Sequence, residues 1–145
     1  KQEAIDYEQR LRQQVDDSPY GNRISWLGIH DDIPNLMRQS TILIHPARQE
    51  PLGRVLLESA ASGLPMIATN VGGTPEILSS LELNELLVPS ESPAVIAEKL
   101  LELSTSTQKL KAIGRQLRAM AMEKFSVESC VRNIDQHYRG LLEMN

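Results

Sequence analysis

Apolar positions follow two patterns along this chain. Up to Val88, short continuous apolar runs alternate with stretches of helical period. Beyond Val88 only the helical period remains. Ile24-Ser25-Trp26-Leu27 reads as a short strand closed by Gly28. Thr41-Ile42-Leu43-Ile44 is a continuous β-branched run, the signature of a strand buried on both faces. Pro65 to Thr69 is another, and Leu86-Leu87-Val88 a last, shorter one. Between the runs lie helix signals. Asp31-Asp32 forms a cap and first turn, with Ile33, Leu36 and Met37 on the apolar face. A loop from Pro46 to Leu52 leads into a helix from about Gly53 to Ser62, which Gly63 ends as a left-handed cap. Val71-Gly72-Gly73 is a tight turn. Thr74 can cap a short helix with Pro75 at its first position and Glu76 in its first turn. Ala4 to Val15 is helical in period, with Ala4, Tyr7, Leu11 and Val15 on one stripe. Helical spacing also fills Ala94 to Leu103, Leu110 to Met122 and Val127 to Leu142, and Ser104 to Thr107 is a polar linker.

Strand and helix alternating at this spacing predict βαβ units. The expected fold is α/β, a Rossmann-like parallel sheet with helices on both faces and a helical C-terminal third. Ile42 to Ile44 and Met66 to Ala68 are expected to be central and nearly fully buried.

Composition narrows the function. The 145 residues make one domain and little more, and 41% hydrophobic with 23% charged residues is ordinary for a globular protein. No apolar run is long enough to span a membrane. Fifteen Lys and Arg stand against nineteen Asp and Glu, a net charge of −4, which argues against nucleic acid as a partner. A single cysteine, Cys130, forms no internal disulfide, which points to a reducing, cytoplasmic compartment. The first residue is Lys1, and the helix from Ala4 has no cap before it. The simplest reading is a piece of a longer protein.

In an open parallel sheet, ligands bind outside the carboxyl ends of the strands. The loops there run from His45 to Leu52 and from Asn70 to Thr74. Gly53 opens a helix whose free N–H groups favour an anion such as a diphosphate; it also suits an ordinary turn. Glu58 lies on a helix that is apolar around most of its circumference, so its carboxylate needs donors, and the two hydroxyls of a ribose would serve. Alternatively, Arg54, Glu58 and Ser62 form a solvent-facing stripe with an Arg54–Glu58 pair. Glu50 either accepts bonds from sugar hydroxyls or caps the following helix. Gly72 and Gly73 bring small backbone groups beside a ligand or only make a turn. His30, His45 and His137 are too dispersed for a metal site. His45 stands out because it ends a strand next to Glu50, although a lone histidine is more often structural.

Together these residues resemble the C-terminal domain of the retaining glycosyltransferases of family 4, which have the GT-B fold. That family carries two glutamates with seven residues between them, matched by Glu50 and Glu58. The flanking text matches as well: His45-Pro46-Ala47-Arg48, Pro51-Leu52-Gly53, Val55-Leu56-Leu57-Glu58, Gly63 to Thr69, Val71 to Ile77, Leu87-Val88-Pro89 and Phe125-Ser126. The resemblance runs from about Tyr7 to Leu142.

The resemblance implies a domain that binds a nucleotide-sugar donor. Glu58 would then hold the ribose, and Glu50 would act at the donor sugar as the catalytic residue. The amides of Leu52, Gly53, Arg54 and Val55 would hold the diphosphate and sugar hydroxyls, beside Gly72 and Gly73. Gly28 and Ile29 would lie beside the base. These roles favour the sugar and ribose readings over the cap and the stripe. Members need no metal anchored by an Asp-x-Asp motif, and none occurs here, so neither metal nor other cofactor is expected. His45 stands where many members are apolar, so the resemblance gives it no role. The family's domain begins with further strands carrying an Arg and a Lys, and these are absent here, as is the N-terminal acceptor domain. The chain is therefore expected to be the truncated C-terminal half of a GT-B enzyme, inactive by itself. The parent would act on a sugar, lipid-linked sugar or small-molecule acceptor, in the cytoplasm or peripherally at the inner membrane face. The alternatives are a non-catalytic nucleotide-binding module and another GT-B enzyme such as a sugar-nucleotide epimerase.

Overall fold

Three parallel strands carry the fold: β1 (Leu43–His45), β2 (Met66–Thr69) and β3 (Leu87–Val88), in that order across the sheet. The computed structural model describes residues 2–143. It comprises two compact units, one ending at Asp31 and one beginning at Asp32, and the sheet belongs to the second. There α2 (Ile33–Gln39) leads to β1, α3 (Arg54–Ser62) links β1 to β2, and α4 (Thr74–Ser80) links β2 to β3. Helices α5 (Pro93–Ser104), α6 (Thr107–Phe125) and α7 (Val127–Glu143) complete the unit.

Local signals in the sequence set most of these boundaries. Asp32 caps α2, its Oδ1 accepting the Asn35 N–H at 3.0 Å. Ser106 caps α6 by accepting the Lys109 N–H. Gly63 ends α3 in the left-handed conformation, its N–H donating to Ala60 while Leu64 N–H reaches back to Ser59 O. That closes the carbonyls a helix end leaves open.

The core forms where β2 is enclosed. Met66, Ile67, Leu56, Leu78, Leu81, Leu86, Leu103 and Leu117 are fully buried, each worth about 1.5–3 kcal/mol of transfer free energy. Helix α6 lies against α3 and approaches its end closely: a Cβ at Gly114 would sit 2.2 Å from the Gly63 carbonyl oxygen. Any side chain there would force the two helices apart. By contrast, α7 presents Val127, Val131, Ile134, Tyr138 and Leu141 to solvent.

Three expectations need correction. Met66 to Ala68 is central and buried, but Ile42 to Ile44 is not. β1 stands at the sheet edge, paired only with β2 among the described residues, and Ile44 is 38% exposed. A continuous apolar run cannot by itself distinguish a central strand from an edge. Next, Ile24 to Leu27 forms no strand. Among the described residues no neighbouring strand supplies its ladder, and Ile24, Trp26 and Leu27 are about half exposed. In that first unit α1 (Gln2–Asp16) instead sets the Arg12 guanidinium 4.7 Å from the Trp26 ring centroid. Finally, Thr74 does not cap α4. Gly73 is the cap residue, Thr74 is the first residue inside the helix, and its buried hydroxyl has no partner among the described residues. No helix of the described residues is long and apolar enough to cross a membrane.

Candidate functional site

The loops that leave β1 and β2 at their carboxyl ends lock together through the backbone. Gly73 N–H donates to the Glu50 carbonyl at 3.0 Å. Gly72 lies so close that a Cβ there would stand 1.9 Å from the same oxygen, and its φ is +52°. Only glycine meets both conditions without displacing the chain. From beneath, the Thr69 hydroxyl at the end of β2 donates to Ala47 O at 2.6 Å. The loop before α3 is therefore fixed by main-chain contacts before any ligand arrives.

Glu50 is held hardest. Its Oε1 accepts the Gly53 N–H at 2.7 Å and the Leu52 N–H at 3.2 Å, and its Oε2 meets His45 Nε2 at 2.9 Å. The Gly53 N–H, the Leu52 N–H and then His45 hold the carboxyl below the ordinary carboxylate range. An ionised carboxylate only accepts, so His45 Nε2 carries the proton. Glu50, Arg48, Gln49, Pro51, Val71 and Gly72 line an open cleft of about 270 Å³.

Gly53 is the cap residue before α3 and sits in the left-handed region at φ +82°. The first intrahelical bond runs from Leu56 N–H to Gly53 O at 2.9 Å. The N–H groups of Arg54 and Val55 come before it and have no acceptor within the helix. Leu52 beside them is exposed. Of the four amides expected at a diphosphate, two are engaged by Glu50 and two head the helix.

Glu58 sits one turn further along α3 and does not share Glu50's cleft. It lies on the outer face, half exposed, with Arg54 Nη2 at 3.7 Å. The buried face of α3 is Leu56, Ser59 and Ala60. Glu58 lines a second cleft of about 500 Å³ with Met37 and Arg38 of α2, Ala61 of α3 and Arg118 of α6. Gly28 and Ile29 belong to the first unit, Gly28 at φ +62° and Ile29 fully exposed.

Two parts of this arrangement were not assigned from sequence. Arg118 lies sixty residues from Glu58 along the chain, and no spacing rule links such positions. Thr69 under the loop left a faint signal, a hydroxyl at the end of an otherwise apolar buried strand. Among the described residues no group of three His, Cys, Asp or Glu side chains gathers as metal ligands would.

Comparison with known proteins gives this geometry a context. The family described as glycosyl transferases group 1 matches residues 4–120. An uncharacterized glycosyltransferase of Methanocaldococcus jannaschii is 35% identical over 111 residues, covering 77% of this chain and 31% of that protein. A lipopolysaccharide core biosynthesis mannosyltransferase of Rhizobium meliloti is 26% identical, covering 94% of this chain and 39% of that protein. The crystal structure of Anabaena HepE in complex with UDP superposes with a TM-score of 0.84 at 28% identity, over 94% of this chain and 37% of that one. The chain spans about a third of the length of the curated relatives it matches.

Proposed function

The chain belongs to the glycosyl transferases group 1 family, and from that premise we propose that it is the donor-binding part of a retaining glycosyltransferase. The donor is a nucleotide-diphosphate-sugar. HepE of Anabaena, similar in fold, has been crystallised with UDP and with UDP-glucose. The remainder of the parent protein supplies the acceptor site.

The observation that carries this reading is the junction at the start of α3. A fixed, ionised Glu50 lies immediately before a helix start whose Arg54 and Val55 N–H groups point ahead of the first intrahelical bond. The diphosphate is met at that end, where the helix dipole favours an anion. The leaving group gathers negative charge as the glycosidic bond breaks, and the preorganised amides stabilise it. The sugar side lies toward the loop, in the cleft that Glu50 shares with Gly72. There the carboxylate orients hydroxyls and stabilises the positive charge that develops at the anomeric carbon. Glu58 takes the ribose hydroxyls one turn along. The backbone amides do what an Asp-x-Asp metal site does elsewhere, and the sequence contains no such motif.

The test uses the intact parent with a panel of nucleotide-sugars and analyses the product. The expected result is transfer with the anomeric configuration of the donor kept, undiminished by a chelator. A product of inverted configuration would sink the retaining mechanism. Nucleotide binding without transfer to any acceptor would instead reduce the protein to a binding module.

A further inference from the structure

His45 ends β1, opposite Ala68 of β2, and its ring turns to the one carboxylate on which the proposed transfer depends. Both side chains of the pair are only about one-fifth exposed, so solvent competes poorly for their hydrogen bond. The two Glu50 oxygens are treated differently. Oε1 receives two backbone N–H groups, which fills its lone pairs, whereas among the described residues Oε2 receives only His45. A carboxylate offers about four acceptor directions. Three are taken, and the one left is on Oε2, the oxygen that His45 holds.

We propose that His45 is a positioning residue for glycosyl transfer, fixing Glu50 Oε2 so that its last acceptor direction faces the donor sugar. This rests on the reading of Glu50 as the sugar-side carboxylate. The two amide bonds both hold Oε1 and leave Oε2 free to swing about it. The imidazole N–H closes that freedom from the strand side, on a rigid element. It also fixes what Oε2 can do: with one lone pair given to Nε2–H, a single hydroxyl or a developing cation takes the other. The bond acts on an orientation that matters most as charge develops. Its loss therefore lowers turnover more than it weakens binding of the free nucleotide.

The experiment compares H45L, H45Q, E50Q and the H45L/E50Q double variant in the intact parent, measuring kcat at saturating donor, the Kd of UDP and the thermal midpoint. H45L removes the donor, while the H45Q amide N–H can still reach Oε2. H45L is expected to lower kcat about 10-fold, as loss of alignment does, with UDP affinity within about 2-fold because the nucleotide subsite is untouched. H45Q should recover most of that loss. On the E50Q background, adding H45L should change kcat by less than about 2-fold, because residues acting as one unit are non-additive. Should H45L not fold, H45N replaces it: polar, but too short to reach Oε2. An unchanged kcat in H45L, no rescue by H45Q, or a full second loss on the E50Q background would each overturn the proposal while E50Q itself remains impaired. If E50Q alone turns over normally, the sugar-side reading of Glu50 fails first, and this role fails with it.

Discussion

The loop that carries Glu50 and the helix face that carries Glu58 are eight residues apart and built on opposite plans. Glu50 is held by two amides and an imidazole within 3.2 Å, on a loop that Gly73 and Thr69 fasten from behind. Glu58 has one cation at 3.7 Å and is half open to water. The first arrangement costs a ligand nothing in reorganisation, which is what stabilising a transition state requires. The second can rotate to meet a ligand, and any bond it makes must displace water, which suits ground-state binding. One short segment thus separates a preorganised carboxylate from an adaptable one.

The sharpest way to break this contrast is to move the loop as a whole. Gly72→Ala places a Cβ against the Glu50 carbonyl at a positive φ. The backbone must shift, at a cost of about 3 kcal/mol or more in stability, read from the urea midpoint of the intact parent. A neutral result would mean that the loop is not fastened from behind and that Glu50 owes its position to its side chain alone.

Next in size is the carboxylate itself. Glu50→Gln keeps the shape and removes the charge. Turnover should fall about 100-fold or more, which is about 2.7 kcal/mol, with UDP affinity nearly unchanged. If UDP affinity collapsed while turnover at saturating donor held, Glu50 would belong to the nucleotide subsite and the two plans would exchange roles. Glu58→Gln and Glu58→Ala should do the reverse. UDP affinity should fall by about 1–3 kcal/mol, the value of a hydrogen-bonded charge lost from a diol site. Unchanged affinity in both variants would leave Glu58 as one member of a surface stripe.

How far the sequence foretold this contrast depends on the range of each interaction. Local devices were legible: the Asp32 cap, the Gly63 stop and the strand-loop-helix order that puts Glu50 before α3 all lie within a few residues of their partners. What needed tertiary context was not. Ile42 to Ile44 and Met66 to Ala68 read alike as apolar runs, yet only the second has neighbours on both sides. Ile24 to Leu27 has the composition of a strand and no ladder to join. Thr74 has the residue type of a cap, but the chain turns one residue earlier, at Gly73. The His45–Glu50 bond joins the end of β1 to a loop residue five positions on, and spacing alone does not show that the two side chains meet.

The smallest expected effect tests the adaptable side directly. Arg54 pairs with Glu58 along α3, and its side chain is 81% exposed. At 3.7 Å in open solvent such a pair contributes about 0.5 kcal/mol or less, since screening and side-chain entropy offset most of the attraction. The part of Arg54 assigned to the diphosphate is its backbone N–H, which alanine retains. Arg54→Ala should therefore leave the urea midpoint nearly where it was and UDP affinity within about 3-fold, a change of about 0.6 kcal/mol. The two quantities separate the possible roles of the side chain. A clear loss of stability with affinity intact would make the Arg54–Glu58 pair a structural element, and Glu58 less adaptable than its exposure implies. A loss of affinity beyond about 10-fold, with stability intact, would mean that the guanidinium itself reaches the diphosphate, as a forked donor can. In that case the helix start recognises its anion with a side chain as well as with its amides.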